Sequence, residues 1–141
     1  WRSHRDMWDF QATRLKFADS AKRYEFGTMA YGTALGATHA MNYLLDHTVE
    51  KIHAHNREIS TQLRKGLERM GAQVLSPKNP KECSATVAAR FPGKDSKGFA
   101  RELKANKVVA SLRRDFIRFS PHLYNNSADI ERGLASIRAA L

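Results

Sequence analysis

The spacing of apolar residues changes from a helical to an extended period at Gly71, and that change restricts the folds open to this chain. Between Thr48 and Met70, apolar residues recur at helical intervals, which predicts a helix capped by Thr48 and ended by Gly71 in a left-handed conformation. From Ser84 to Phe91 they alternate instead, which predicts a strand. Because one short stretch contains both periods, we expect an α+β domain.

Other segments complete this fold. Residues 30–46 predict a long N-terminal helical segment whose Gly and Ala residues permit close packing, whereas residues 1–28 lack periodicity and are expected to form an irregular lead-in. The further predictions are a short strand at 73–75, a helix capped by Ser96, strands at 107–112 and 116–120, and a last helix capped by Asn126 or Ser127. The expected fold is a small, mostly antiparallel sheet with helices packed on one face.

Composition narrows the class of protein. The chain has 141 residues, of which 42% are hydrophobic, as in a globular domain with one core. No segment is typical of a signal peptide or a membrane span, and the single cysteine, Cys83, cannot form an intrachain disulfide, so we expect a cytoplasmic protein. The net charge of +10 raises the possibility of nucleic-acid binding. The basic residues are scattered, however, so this function is not favoured.

Few residues suggest chemistry on their own. The six histidines lack ligand spacing, so no metal site is expected, and Cys83 lacks an activating partner in the sequence. Gly27 and Thr28 precede a helix, where free backbone N–H groups favour phosphate, although both residues are also common at helix starts. Arg113, Arg114 and Arg118 are either an anion site or a solvated cluster at a sheet edge.

Two segments resemble one known family. Arg23-Tyr24-Glu25-Phe26-Gly27-Thr28, before the helix rich in Gly and Ala, is similar to the Arg-Phe-Glu-x-Gly-Thr segment of class V aminotransferases, which include cysteine desulfurases, isopenicillin-N-epimerase-like proteins and kynureninases. The stretch from Ile117 to Asn126, followed by Ala128-Asp129-Ile130-Glu131, resembles the family's Ile-Arg-x-Ser-Pro-His-x-Tyr-Asn-Thr motif and final helix. The resemblance covers most of the chain and the second motif is fairly specific.

The resemblance implies a cofactor, pyridoxal 5′-phosphate, and a homodimer in which Gly27 and Thr28 of one subunit contact the cofactor phosphate in the other. It also implies that Arg113 holds the carboxylate of a small amino-acid substrate, whereas Arg118 has a supporting role. His122, Tyr124 and Asn125 are expected to form a turn. Residues 29–141 would then be the C-terminal small domain, and residues 1–28 a lead-in from a large domain that is missing here.

The departures from the family pattern matter equally. The Ser-x-His-Lys-like context of the Schiff-base lysine does not occur, so we expect no catalytic residue in this chain and no activity from it alone. The first residue is Trp1 rather than Met, which favours a piece of a longer protein. The short Arg114-Asp115-Phe116 connection disfavours a desulfurase mechanism and leaves epimerase, transaminase and C–S or C–N lyase chemistry open for the parent. The alternatives are a stand-alone binding or dimerisation module and, less favoured, a basic nucleic-acid-binding domain.

Overall fold

The computed structural model describes residues 2–25 and 27–141, and the chain divides into two compact units, one ending at Asp46 and one spanning His47–Leu141. In chain order the elements are a 3₁₀ helix at Ala21–Tyr24, α1 at Tyr31–His47, α2 at Val49–Arg69, β1 at Gln73–Val74, β2 at Val87–Arg90, α3 at Ser96–Ala105, β3 at Ser111–Arg113, β4 at Phe116–Phe119 and α4 at Ser127–Ala139. The predicted α+β class, with a long helix near the N-terminus, is confirmed.

The first unit is held together by polar contacts. His4 and Phe17 form an isolated antiparallel bridge, which brings the two ends of an irregular loop together. Arg2 forms an ion pair with Glu25 at 3.2 Å, and the Ser3 hydroxyl donates to the Glu25 carbonyl at 2.9 Å. The lead-in is therefore irregular, as expected. Its assignment to a missing domain stays a prediction, and Trp1 and Phe26 lie outside the described residues.

The second unit contains the sheet, whose strand order is β1-β2-β4-β3 with all pairings antiparallel. β4 lies between β2 and β3, so that Ala89 and Leu112 both pair with Ile117. Alternate residues of the two inner strands are buried on one face, including Val87, Ala89, Ile117 and Phe119. α2 and α3 pack on this face and α4 packs on α2, so within residues 47–141 no helix packs on the other face of the sheet.

The core of the second unit is continuous. Ile59, Leu63 and Leu67 of α2 are buried, as predicted for the apolar stripe of this helix, and Ile137 of α4 joins the same cluster. α2 and α4 approach closely because residue 66 is glycine: a Cβ there would overlap the side chain of Leu134. This unit therefore has a core of its own, within residues 47–141.

Glycine at position 71 ends α2 as predicted. Its φ is +78°, the Gly71 N–H donates to the Glu68 carbonyl at 3.0 Å, and the Ala72 N–H donates to the Leu67 carbonyl at 3.1 Å. This is the Schellman arrangement, which satisfies the last carbonyls of a helix.

The same arrangement ends α3, where it corrects a prediction. Lys107 has a φ of +61° and its backbone N–H donates to the Lys104 carbonyl at 3.0 Å, while the Val108 N–H donates to the Leu103 carbonyl at 2.8 Å. Residues 107 and 108 thus complete the helix end, and β3 begins only at Ser111. The predicted strand at 107–112 was too long at its start, because no glycine marked the left-handed position.

The cap of α3 is the second correction. The Asp95 carboxylate, not the Ser96 hydroxyl, accepts from the backbone N–H groups of Lys97 at 3.1 Å and Gly98 at 2.8 Å. Ser96 is the first helical residue, and its hydroxyl donates to the Asp115 carbonyl at 2.8 Å instead. The hydroxyl is engaged in a tertiary contact, which leaves the capping role to the adjacent carboxylate.

Candidate functional site

Gly27 and Thr28 lie just before α1, in the first unit. Thr28 is exposed, and a Cβ added to Gly27 would meet no atom within 4 Å. α1 begins at Tyr31 and has no carboxylate in its first turn. A helix start with a hydroxyl, open space and no nearby carboxylate of its own first turn suits an anion such as phosphate.

Two other residues of the first motif fix the chain ahead of this position. Arg23 donates from Nε to the Ala18 carbonyl at 2.9 Å. The Glu25 carboxylate forms the ion pair with Arg2, and the Glu25 N–H donates to the Lys22 carbonyl at 2.9 Å. The charged residues of the motif are therefore occupied within the first unit. They position the backbone that leads to Gly27 rather than supplying a free charge.

Three arginines share the sheet face on which no helix of the second unit packs: Arg90, Arg113 and Arg118, here called the arginine face. The register places Arg118 opposite Ala88 on one side and Ser111 on the other, so it lies in the middle of the sheet. Arg90 follows two residues after Ala88 on β2, and Arg113 follows two residues after Ser111 on β3. Because alternate residues of a strand point to the same side, all three project from one face.

Arg113, the residue predicted to hold a substrate carboxylate, ends the edge strand β3. It is exposed, pairs in register with Phe116, and its Nη1 donates to the Leu112 carbonyl at 3.2 Å. The next residue, Arg114, has a φ of +50°, so the two-residue turn between β3 and β4 begins in a left-handed conformation. This turn places Arg113 at the rim of the arginine face.

Arg118 differs from Arg113 in burial. It is half-buried, and its Nε has no hydrogen-bond partner within the described chain. A buried guanidinium N–H without a partner is costly, and an incoming carboxylate or phosphate would satisfy it. The sequence reasoning gave Arg118 only a supporting role, because strand order, which places it centrally, cannot be read from the motif.

Arg90 and Asp115 were not singled out from the sequence. The Arg90 Nη2 lies 2.6 Å from the Asp115 Oδ2, and the Arg90 Nη1 donates to the Gln73 Oε1 at 3.3 Å. Asp115 is the carboxylate that partners the arginine face, so this surface keeps an excess of positive charge. No sequence signal linked the two residues, which are separated by α3 and β3.

The second motif continues from β4 into a turn. The Asn125 Oδ1 accepts from the His122 N–H at 3.0 Å, and the Asn125 N–H donates to the His122 carbonyl at 2.8 Å. His55 of α2 bonds the Asn125 carbonyl through Nε2 at 2.8 Å. Asn126 then caps α4 in a capping box with Asp129. The turn-forming role expected for Asn125 and the cap expected at Asn126 are both observed.

A groove of about 490 Å³ lies at the opposite end of β3 and β4 from Arg113. Buried core residues form its floor, and its rim includes Lys107, Val109, Ser120 and Arg132. Val109 is 91% exposed at this rim. This groove could not be anticipated from the sequence, because its walls come from segments that the fold brings together.

The structure also bears on Cys83, on metal binding and on membrane spans. The Cys83 Sγ lies 3.0 Å from the Pro77 carbonyl, in a loop that Arg64 also holds through the same carbonyl at 2.6 Å. Within residues 2–25 and 27–141, no group of three His, Cys, Asp or Glu side chains could hold a metal ion. In the same part of the chain, no helix combines the length and apolar character of a membrane span.

Comparison with known proteins identifies the family. The family model described as Aminotransferase class-V matches residues 6–132, and the chain belongs to this family. It is 32% identical over 117 residues to the uncharacterized aminotransferase C777.03c of Schizosaccharomyces pombe, covering 82% of this chain and 29% of the relative. It is 24% identical over 123 residues to the uncharacterized aminotransferase YcbU of Bacillus subtilis, covering 87% of this chain and 32% of the relative.

Solved structures share the fold. The cysteine desulfurase of Thermococcus onnurineus NA1 matches 89% of this chain with a TM-score of 0.79 at 20% identity. The cysteine desulfurase CsdA of Escherichia coli matches 93% with a TM-score of 0.77 at 16% identity. The present chain covers 34% and 35% of those two chains, respectively. It therefore spans about a third of the length of the proteins it resembles.

Proposed function

We propose that this chain is the small domain of a pyridoxal-phosphate enzyme that acts on an amino acid. The observation that carries the proposal is the arginine face, on which no helix of the second unit packs, in a chain that belongs to the class V aminotransferase family. A surface with an excess of guanidinium groups suits the carboxylate of an amino-acid substrate.

The cofactor contact falls to Gly27 and Thr28. The Thr28 hydroxyl and the backbone N–H groups at the start of α1 are donors suited to the cofactor phosphate, and the absence of a carboxylate from the first turn of α1 supports this role. When bound, pyridoxal phosphate supplies an electron sink for the α-carbon of the substrate. In the homodimer that the family resemblance implies, these two residues serve the cofactor of the other subunit.

The substrate carboxylate is assigned to Arg113, with Arg118 as the competing residue. Arg113 is exposed and at the rim, and is accessible to a ligand. Arg118 is central and half-buried and has an unpaired Nε, which favours it as a carboxylate ligand on energetic grounds. Holding the carboxylate fixes the orientation of the substrate, so either assignment predicts an effect on substrate binding.

The rest of the machinery belongs to a longer parent in this proposal. The chain lacks the lysine motif of the family, so it is inactive alone, and a large cofactor-binding domain completes the site. Epimerase, transaminase and C–S or C–N lyase reactions all use a carboxylate anchor and a cofactor phosphate site. The lone Cys83 is consistent with a cytoplasmic protein. A stand-alone, non-catalytic binding or dimerisation module is the alternative.

The experiment begins with the protein expressed from the complete natural reading frame. A product much longer than 141 residues, with the visible absorbance of bound pyridoxal phosphate that borohydride removes, supports the proposal. A product of this length without that absorbance supports the stand-alone module. Amino acids are then screened for turnover, and KM and kcat are compared for Arg113→Ala, Arg118→Ala and the neighbouring control Arg114→Ala.

The three variants give distinct outcomes. The carboxylate ligand is the residue whose loss raises KM at least about tenfold with cofactor absorbance retained, as expected for a charged hydrogen bond. Arg114→Ala is expected to leave KM within about twofold, because its contribution is only the general charge of the surface. If neither Arg113→Ala nor Arg118→Ala changes KM, the role of the arginine face is refuted.

A further inference from the structure

The groove near Val109 has the size and the floor of a small-molecule site. Its volume of about 490 Å³ lies within the range of about 300–1,000 Å³ that such sites occupy. Its floor consists of four side chains of the core: Leu63, Phe119, Ile130 and Ile137. Val109 is 91% exposed at the rim, so it would lose contact with water when an apolar ligand entered the groove.

The wall that α4 contributes is open because one of its residues is glycine. Asp129, Arg132, Gly133 and Ser136 line this wall, and their spacing of three and four residues places them on one side of the helix. A Cβ added to Gly133 would meet no atom within 4 Å. A larger side chain at position 133 would therefore occupy space that belongs to the groove.

The charges that line the groove are two cations, Lys107 and Arg132, and one anion, Asp129. The Asp129 carboxylate is engaged on both oxygens: Oδ2 accepts from the Asn126 N–H at 3.0 Å, and Oδ1 pairs with Arg132. Lys107 forms no ion pair with a carboxylate of residues 2–25 and 27–141. Its ammonium is therefore the uncompensated charge of the groove.

The backbone that carries Lys107 is fixed by the turn at the end of α3. The left-handed φ of +61° and the bond from the Val108 N–H to the Leu103 carbonyl at 2.8 Å define this turn. The groove also contains the Ser136 hydroxyl, which makes no hydrogen bond to another group in the described part of the chain. A cation and a hydroxyl donor on fixed backbone reduce the entropic cost of binding a ligand.

We infer that this groove binds a small organic molecule with an apolar body and one carboxylate group. The apolar body covers the floor, and the carboxylate pairs with the Lys107 ammonium, which is the charge left without a partner. The groove lies at the opposite end of β3 and β4 from Arg113, so this site is separate from the arginine face. It uses residues of the second unit alone and does not depend on the proposed function.

Titration of the 141-residue chain with two matched probes tests this inference. Hydrocinnamate has a phenyl ring and a carboxylate, and hydrocinnamamide replaces the carboxylate with a neutral amide. We expect saturable binding of one hydrocinnamate, with a Kd of about 1 mM or lower. The amide should bind at least about threefold more weakly, and added salt should reduce this difference. Methyl NMR shifts of Val108, Val109 and Ile130 locate the probe.

Two variants on α3 and its end separate the Lys107 ammonium from general surface charge. Lys107→Gln should weaken hydrocinnamate at least about threefold and change the affinity for the amide less than about 1.5-fold. Lys104 is also exposed but does not line the groove, so Lys104→Gln should change either affinity less than about 1.5-fold.

A third variant tests the space in the groove. Gly133→Leu places a side chain in the groove and should weaken both probes at least about tenfold. Urea unfolding of each variant confirms that it is folded. The product of the complete reading frame, which is titrated in parallel, should bind hydrocinnamate with the same preference over the amide.

Several results would overturn the inference. Equal affinities for the two probes, or equal losses in Lys107→Gln and Lys104→Gln, would remove the carboxylate contact. Shifts at Ala88 and Arg118 instead of the groove methyls would place the probe on the arginine face. A dimer that Gly133→Leu dissociates would make a second copy the occupant, and loss of binding in the longer product would make another segment of that chain the occupant.

Discussion

Arg90 and Asp115 form an ion pair of 2.6 Å that ties β2 to the turn between β3 and β4. The carbonyl of the same Asp115 accepts the Ser96 hydroxyl, so the turn is also tied to the start of α3. Arg113 and Arg118 lie on the two strands that this turn joins. The pair therefore holds the part of the sheet that carries the arginine face.

Removing the Asp115 charge is expected to destabilise the second unit only slightly. The two side chains are 40% and 62% exposed, so Asp115→Asn should lower the free energy of unfolding by less than about 1 kcal/mol. Salt screens such pairs, so wild type and variant should become closer in stability at 1 M salt. Urea unfolding at low and high salt measures both effects, and a loss that is unchanged by salt would show that the charge is not its cause.

The two Schellman turns predict opposite effects on stability for substitutions at their left-handed positions, Gly71 and Lys107. Gly71→Ala forces a Cβ into the left-handed region and should cost about 1 kcal/mol. Lys107→Gly relieves the same strain at the end of α3 and should gain up to about 1 kcal/mol, reduced by the greater freedom of glycine in the unfolded chain. Thermal and urea unfolding of both variants provides the check. Destabilisation by Lys107→Gly would mean that the Lys107 side chain makes a contribution of its own.

The close contact of α2 and α4 at Gly66 predicts that Gly66→Ala changes stability in opposite directions in the wild type and in a Leu134→Ala background. Alanine is intrinsically better than glycine in a helix by about 1 kcal/mol, but a Cβ at position 66 overlaps Leu134, and such overpacking costs about 1–3 kcal/mol. Gly66→Ala should therefore destabilise the protein. In a Leu134→Ala background the same change should stabilise it, because the obstacle is gone.

Gly133→Ala is the matched control for Gly66→Ala. It lies in α4, and a Cβ there would meet no atom within 4 Å. It should stabilise the protein by up to about 1 kcal/mol through helix propensity alone. Equal effects of Gly66→Ala and Gly133→Ala in urea unfolding would rule out the close approach of α2 and α4.

The capping of α3 by the Asp95 carboxylate predicts that the stability of the folded protein depends on pH. Hydrogen bonds from the backbone N–H groups of Gly98, first, and Lys97, second, hold the pKa of Asp95 below the ordinary value of 3.8. Because the folded-state pKa is depressed, the stabilisation is fully present above about pH 3.8 and is lost as pH falls through the lower folded-state pKa. Asp95→Asn keeps a capping oxygen but does not titrate, so it should remove this component of acid destabilisation.

The measurement is the thermal midpoint of wild type and Asp95→Asn from neutral pH down to acid. The difference between the two proteins should narrow as pH falls below about 3.8. Asp95→Ala, which removes the cap at every pH, should lie below both proteins at neutral pH. Parallel curves for wild type and Asp95→Asn would contradict the role of the ionised carboxylate.

The elements that sequence predicted best are those set by local chemistry. Gly71, Thr48 and Asn126 mark helix ends through contacts with residues a few positions away, and the structure shows each in its expected role. The alternation of Ile117 and Phe119 on β4 follows from the two-residue period of a strand. Such features need no knowledge of the rest of the fold.

What the sequence did not reveal depends on strand order and tertiary contacts. Ser96 and Asp95 are both good capping residues, and only the contact of Ser96 with Asp115 separates their roles. The central position of Arg118 follows from β4 lying between β2 and β3, which the motif does not encode. The roles of Gly27, Thr28 and Arg113 as ligand contacts stay predictions, because contacts within the chain do not test the binding of a ligand.

The position of β4 in the sheet also affects when the sheet can assemble during translation. β4 is made after β2 and β3 but lies between them, so during translation these two strands have no shared neighbour until Phe116–Phe119 has left the ribosome. Until then the apolar side of β2, with Val87 and Ala89, lacks its partner strand. A nascent chain halted before Phe116 is thus expected to be a chaperone substrate and prone to aggregation, and the residues from Phe116 onward complete the sheet.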